Sequence, residues 1–131
     1  MTGYSGTPLM KKLGITEKMK LMIINSPENY SALLEHDINS QLTSKISEAD
    51  FAHLFVVSRK ELESNFLKII NAAKVGLMIW VSWYKKSSGL QTDVTEDTIR
   101  EIVLPTGWVD IKVCAVSDVW SGLKIVKRKQ K

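Results

Sequence analysis

The chain of 131 residues predicts an α/β protein of three layers, with a mainly parallel sheet of about five strands closed by an antiparallel C-terminal strand. Three observations predict it. Leu77 to Gly89, LMIWVSWYKKSSG, is a continuous apolar run broken only at its end by lysines, serines and a glycine, the pattern of a central strand buried on both faces. Shorter apolar runs alternate with segments of helical period, the order that builds a parallel sheet covered by helices. The last two strand-like runs lie too close together for a crossover helix and must therefore run antiparallel.

Thr7 and Pro8 form a helix start, a capping hydroxyl followed by a proline, and Gly14 after Leu13 is the matching stop. The short helix between them turns Leu9, Met10 and Leu13 inward. Lys20–Asn25, KLMIIN, is the first buried strand. Ser26-Pro27-Glu28 repeats the start signal, and Tyr30, Leu33 and Leu34 place an apolar stripe on the helix that follows. From Glu35 to Asp50 the periodicity fades, with Leu42–Ile46 predicted as a short edge strand between polar turns. Phe51–Val57, FAHLFVV, is the second core strand. Ser58 and Glu61 have the spacing of a capping box, and Leu62, Phe66, Ile69, Ile70 and Ala73 form the inner face of a longer helix.

Gly76 opens the central strand, and SSGLQTD after it is a loop. The next helix begins at Asp93 or Thr95, with Glu96 and Asp97 set against the positive end of its dipole and Ile99, Ile102 and Val103 turned inward. Pro105 and Gly107 end it. Val109–Val116 and Leu123–Val126 are the last two strands. Residues 1–126 are thus expected to form a single α/β domain, followed by a basic tail at 127–131.

Composition excludes several classes of function. The single cysteine, Cys114, excludes an internal disulfide framework and points to a reducing compartment. The N-terminus lacks a basic segment ahead of an apolar one, and no apolar run is long enough to span a bilayer, so a cytoplasmic protein without membrane contact is expected. Net charge is +4, with a pI of about 9.2, but the excess is local. Lys127, Arg128, Lys129 and Lys131 are four of the 18 cations, and the other 14 balance the 14 acidic residues. Nucleic-acid binding is accordingly expected only through the tail.

In an open parallel sheet, ligands bind beyond the carboxyl ends of the strands. Those ends carry Asn25, Ser26 and Glu28 after the first strand, Ser58 and Arg59 after the second, and Trp83, Tyr84, Lys85, Lys86, Ser87 and Ser88 after the third. Two helix N-termini, three cations, several hydroxyls and two aromatic rings suit a small anionic or carboxylate-bearing ligand. The competing reading is a solvated loop whose serines only cap helices. Trp80 is placed in the core, whereas Trp83 and Trp120 are expected half-exposed, able to stack on a ligand or anchor a protein partner.

No catalytic set stands out. Cys114, within an alternating strand, reads as a small buried hydrophobe, His53 as a hydrogen-bonded core histidine, and His36 as part of an unmarked loop. These three have no metal-ligand spacing, so no metal is expected, and no cofactor is assigned. Glu28, Asp93 and Asp118 serve as acid or base only if folding brings them together. The segment GYSGTP, small residues ahead of a capped helix, is expected to form a flap over the strand ends or to fill the bottom of the sheet.

Two resemblances accompany these motifs. GYSGTPLMKKLGI at Gly3–Ile15, HLFVVSRKELE at His53–Glu63, WVSWYKKSSGLQTD at Trp80–Asp93, and the KVCAV and WSGLKIV segments between Lys112 and Val126, with Ile111 where valine is usual, resemble a small uncharacterised bacterial family, a domain of unknown function. That resemblance implies a coherent domain and no particular activity. The second half, a strand, a capped helix, a Gly-led strand, a helix and an antiparallel pair, is similar to the later half of the Rossmann-like methyltransferase fold. That likeness implies a glycine-rich cofactor turn after the first strand, at Asn25-Ser26-Pro27-Glu28-Asn29, where no glycine stands; side chains there hinder the close backbone approach that a nucleoside cofactor needs.

Two functional readings follow. The first is a non-catalytic module that binds a small anionic ligand or a protein partner at the C-terminal ends of its strands. The second is a small transferase-like enzyme of degenerate methyltransferase fold that uses the same crevice.

Overall fold

The computed structural model describes residues 8–129, and its elements follow the expected order. They are α1 (Leu9–Leu13), β1 (Leu21–Ile24), α2 (Tyr30–Leu34), β2 (Phe51–Phe55), α3 (Arg59–Ala72), β3 (Met78–Tyr84), α4 (Glu96–Val103), β4 (Trp108–Ala115) and β5 (Trp120–Lys127). The cap expected from Thr7 and the flap expected from GYSGTP fall outside the described residues.

The sheet order is β1-β2-β3-β5-β4. β1, β2 and β3 are parallel, and β5 is antiparallel to both its neighbours. The antiparallel strand expected to close the sheet therefore lies inside it, with β4 at the edge. The physical reason is apolarity: β5 carries Leu123 and Ile125, both fully buried, while β4 carries the exposed Ile111, Lys112 and Val113. Gly122 on β5 completes the fit beside β3. A Cβ there would sit 3.0 Å from Val116 Cγ2 and 3.1 Å from Trp80 Cε3, so only glycine lets the indole lie flat against the strand.

Helices cover both faces, as three layers require. Leu62, Phe66 and Ile69 of α3 and Ile99, Ile102 and Val103 of α4 pack with Ile79, Val81, Leu123 and Ile125 on one face. On the other, Leu13 of α1 and Tyr30 and Leu34 of α2 pack with Phe51, Phe55 and Trp80. The steps β1 to β2 and β2 to β3 run in the same direction, yet α2 and α3 lie on opposite faces. Right-handed crossovers would place them on one face.

The chain between β1 and β2 resolves this by going round the edge of the sheet. After α2, Leu42 makes a single parallel bridge to Leu21 on the free side of β1, with Thr43 N donating to Leu21 O at 2.9 Å. The 3₁₀ turn Ile46–Glu48 then touches α3 on the far face. The expected edge strand Leu42–Ile46 is thus reduced to one bridged residue. The reversal also makes the β1/β2 junction a topological switch point, the kind of place where open sheets bind ligands.

Local capping accounts for the helix starts. Ser58 Oγ accepts from Glu61 N at 3.1 Å, and the Glu61 carboxylate returns to Val57 N at 2.8 Å, one residue ahead of the usual capping-box partner. Thr95 caps α4 in a reciprocal box with Thr98. α2 starts at Tyr30, later than the Ser26-Pro27-Glu28 signal suggested, because Tyr30 N bonds Pro27 O in a turn that follows the left-handed Asn25, φ 58°.

His53 is the polar centre of the core. Its Nδ1 lies 2.8 Å from Tyr30 Oη and its Nε2 lies 2.7 Å from Ser82 Oγ, while Phe55 stacks on the ring at 4.2 Å. Burial lowers the imidazole pKa to about 3 and raises that of the Tyr30 hydroxyl, so the folded ring is neutral.

Between the ordinary histidine value of 6.5 and about 3, only the unfolded chain takes up the proton. Stability should therefore fall as pH drops through that window, by up to about 1.4 kcal/mol per pH unit. Asp50 is held below its ordinary value, first by the hydrogen bond from Lys20 N and then by Lys74, and it adds a loss of the same sign at lower pH. Urea unfolding from pH 7 to pH 4 should show His53→Gln less stable at neutrality but with a flatter pH dependence; an unchanged slope would acquit the histidine. Gly122→Ala should lower the unfolding free energy by about 1–3 kcal/mol through overpacking against Trp80, seen as a lower urea midpoint.

Candidate functional site

Beyond the carboxyl ends of β2 and β3 lies an open groove of about 1070 Å³, walled by the end of β3, the loop that follows it and the first turn of α4. Hydrogen bonds hold the loop in place. Lys85 N donates to Val119 O at 2.8 Å, and the 3₁₀ turn Lys86–Ser88 ends at Gly89, φ 74°. The chain then folds back over the start of α3: the Thr92 hydroxyl donates to Val57 O, and Asp93 Oδ1 accepts from Arg59 N at 2.7 Å.

Of the residues singled out from the sequence, Ser58, Trp83, Lys85 and Lys86 line this groove together. Ser26 and Glu28 line a separate cavity of about 370 Å³, beside Tyr30 and Thr43. Asn25 stands between the two, its Nδ2 3.5 Å from Phe55 O and from Glu61 Oε2. Arg59 turns to Glu101 on α4, at 2.7 Å, and Ser87 is exposed on the 3₁₀ turn. Trp120 lies on the other face of the sheet, against Phe55 and Tyr84. The strand ends do share one edge, but side chains alternate between faces and divide them into two sites.

The two tryptophans also differ from expectation. Trp83 is only 8% exposed because it joins the α3/α4 core cluster, although it still forms part of the groove wall. Trp120 is half-buried, as expected, and Trp80 is fully buried with its Nε1 donating to Leu13 O at 2.9 Å. Cys114 is half-buried, and burial pushes its thiol pKa up, which disfavours the nucleophilic thiolate. Asp93 lines the groove and Glu28 the smaller cavity, while Asp118 lines neither, so these three carboxylates do not come together.

Sequence reasoning named Asp93 as a candidate acid or base but missed the acidic wall it forms with Glu96 and Asp97. Asp93, Glu96 and Asp97 face the same groove as Lys85 and Lys86, so the groove carries both signs of charge. The local pattern marks Glu96 and Asp97 as dipole partners of α4, and nothing in it tells that the preceding loop folds back far enough to bring them to the lysines. Glu96 is paired with Arg100, whereas Asp97 is 91% exposed with Arg100 Nη1 3.5 Å away. The amino end of α3 is occupied from within the chain, by Asp93 on Arg59 N and Glu61 on Val57 N. An external anion would have to displace these carboxylates to use it.

No protein-family model matches this chain and no curated protein matches it, so the motif resemblance to an uncharacterised bacterial family gains no support. Solved structures do match. Ribosomal protein L11 methylase from Lactobacillus delbrueckii subsp. bulgaricus aligns over 92% of this chain and 76% of that one, with a TM-score of 0.55 at 11% identity. Human N-acetylserotonin methyltransferase, solved in complex with SAM, aligns over 92% of this chain and 51% of that one, with a TM-score of 0.59 at 12% identity. A protein of the NADB-Rossmann superfamily from Streptococcus agalactiae aligns over 95% and 70%, with a TM-score of 0.52 at 9% identity. At identities this low the structural likeness shows the fold alone, a Rossmann-like α/β sheet with methyltransferases among its neighbours.

The turn after β1 does not fit the nucleoside-type methyl donor that such a fold implies. All of Asn25 to Asn29 carry side chains, and the Asn25 amide lies across the switch point between β1 and β2. Among the described residues no three His, Cys, Asp or Glu side chains come together as metal ligands, and no helix is long and apolar enough to cross a membrane.

The clamp on α3 is open to test. Asp93→Ala should cost about 1 kcal/mol, the usual loss for a helix cap, and should speed amide hydrogen exchange at Arg59 and across residues 86–94 while β1–β3 stay protected. Unchanged exchange in that loop would show that Asp93 does not hold it.

Proposed function

We propose that this protein is a small transferase-like domain of degenerate methyltransferase fold that takes a small ligand in the groove between the end of β3 and the start of α4. The observation that carries the reading is the groove itself: it lies at the carboxyl ends of the strands, where open α/β sheets bind ligands. Its size is ample for a nucleoside-sized molecule. The methyltransferases among its structural neighbours support the transferase side of the reading.

In this proposal the Trp83 ring supplies apolar contact, Lys85 and Lys86 hold a carboxylate or phosphate, and Asp93, Glu96 and Asp97 face a cationic group. A zwitterionic ligand answers that mixture better than a simple anion does. Because the β1 turn does not suit a nucleoside donor, no chemical step is assigned to one. The cell compartment proposed for this activity is the cytoplasm.

A second reading, a non-catalytic module for a small ligand or a protein partner, is favoured by a different observation. At the start of α3 the protein's own carboxylates hold Val57 N and Arg59 N, which suits a groove that binds without assembling charge for a reaction. Nucleic-acid contact in either reading is left to the C-terminal tail.

Amide NMR titration with S-adenosylmethionine, adenine and nicotinamide nucleotides, amino acids, and simple phosphates and carboxylates tests both. Saturable shifts at Ser58, Trp83 and residues 85–97 are expected, and they should vanish in Lys85→Ala/Lys86→Ala without loss of folding. Turnover of the responding ligand would select the transferase, and saturable binding without turnover the module. Silence at these residues for every compound would sink the groove as a small-molecule site.

A further inference from the structure

A third cavity lies at the opposite end of the sheet, at the start of β3 and the end of β5. It measures about 420 Å³ and is lined by Ile70 of α3, Ala73 just after that helix, Leu77, Trp108 and Val126, with Lys127, Arg128 and Lys129 along its rim. The three rim cations belong to the run KRKQK, which composition alone presented as a terminal tail. In the structure that run starts as ordered strand: Lys127 pairs with Trp108, and Arg128 N donates to Gly107 O at 2.9 Å. The backbone at Lys127 and Arg128 is therefore held beside the cavity, and the three cations line its rim.

Their charge is not used elsewhere. Lys74, also at the rim, is committed to Asp50 at 2.6 Å, but among the described residues no ion pair involves Lys127, Arg128 or Lys129. The carboxyl end of α3 points here, yet its dipole amounts to about half a charge and answers at most one of the three. The interior is apolar, and Val75 at the mouth is fully exposed. Trp108, only 5% exposed, forms the floor and leaves no open aromatic face on which a nucleic-acid base could stack. A concave apolar interior with cations on one side of its mouth matches a molecule with an apolar chain and a negative head.

We propose that this pocket binds an anionic amphiphile of the acyl carboxylate class, its chain against Ile70, Leu77 and Trp108 and its head held by Lys127, Arg128 and Lys129. Charge complementarity selects the head, and the apolar lining selects the chain. The site is separate from the β3–α4 groove and does not depend on the function assigned to it.

Decanoate below its micelle concentration, titrated into the labelled full chain, is the probe. The Trp108 indole signal and the Leu77 and Ala73 amides should shift saturably, acetate should move none of them, and decanol should bind at least tenfold more weakly. The triple variant Lys127→Ala/Arg128→Ala/Lys129→Ala, with its folding checked by its own amide spectrum, should also bind decanoate at least tenfold more weakly. The proposal is overturned if decanol or decyltrimethylammonium binds as tightly as decanoate, if the triple variant binds unchanged, or if the shifts fall in the groove instead. Attachment to phosphatidylglycerol vesicles with no change at the Trp108 indole would assign the basic rim to a membrane surface and would overturn it as well.

Discussion

The α1/α2 layer depends on buried side-chain hydrogen bonds more than on helix formation. Each of those helices has five residues, far below the length at which a helix holds itself together in water. Polar side chains at the sheet fix them in position. His53 accepts or donates at both ring nitrogens and thereby joins Tyr30 of α2 to Ser82 of β3 across β2. Trp80 reaches the last carbonyl of α1, and Gln41 bonds the carbonyls of Thr16 and Met19. A buried polar group left without a partner costs about 1–3 kcal/mol, so displacement of this layer would be penalised several times over. The α3/α4 layer needs no such help, because its longer helices bury continuous apolar stripes.

That division bears on function. The thin layer sits where the β1/β2 switch point opens, and its turn is filled by Asn25, Pro27 and their neighbours rather than left open for a ligand backbone. On the thick side, the loop after β3 folds over α3 and carries Asp93 to the helix amides. The same self-capping that steadies the loop also closes an anion site that the topology would otherwise offer. What stays accessible is the groove with both signs of charge, and the fold shared with methyltransferases is compatible with it without determining its chemistry.

Much of the architecture was legible because the chain is locally consistent. Gly14, Ser58 with Glu61, Thr95 and Gly107 all mark helix ends through a backbone or capping requirement that only a few residues satisfy. The run from Met78 to Tyr84 was recognisable as a buried strand because no polar residue but Ser82 interrupts it, and Ser82 is the one that His53 engages. The candidate site was legible only in part. Ser58, Trp83, Lys85 and Lys86 were found from their place after strands, and Asp93 was a candidate acid or base, but the meeting of Asp93, Glu96 and Asp97 with the lysines was not, since it depends on a loop whose path is set by Gly89 and by bonds to Val57 and Arg59.

By itself the sequence determined the order and type of the elements, the parallel core and the antiparallel pair at the end, because period, caps and loop lengths are local quantities. Tertiary structure decided which arm of the final hairpin enters the sheet, on which face each strand-end residue falls, and that the basic terminal run begins as strand beside an apolar pocket. These are set by competition among surfaces for burial. β5 displaces β4 from β3 because Leu123, Ile125 and the bare Gly122 fit there against Trp80, and no local pattern in either strand carries that comparison.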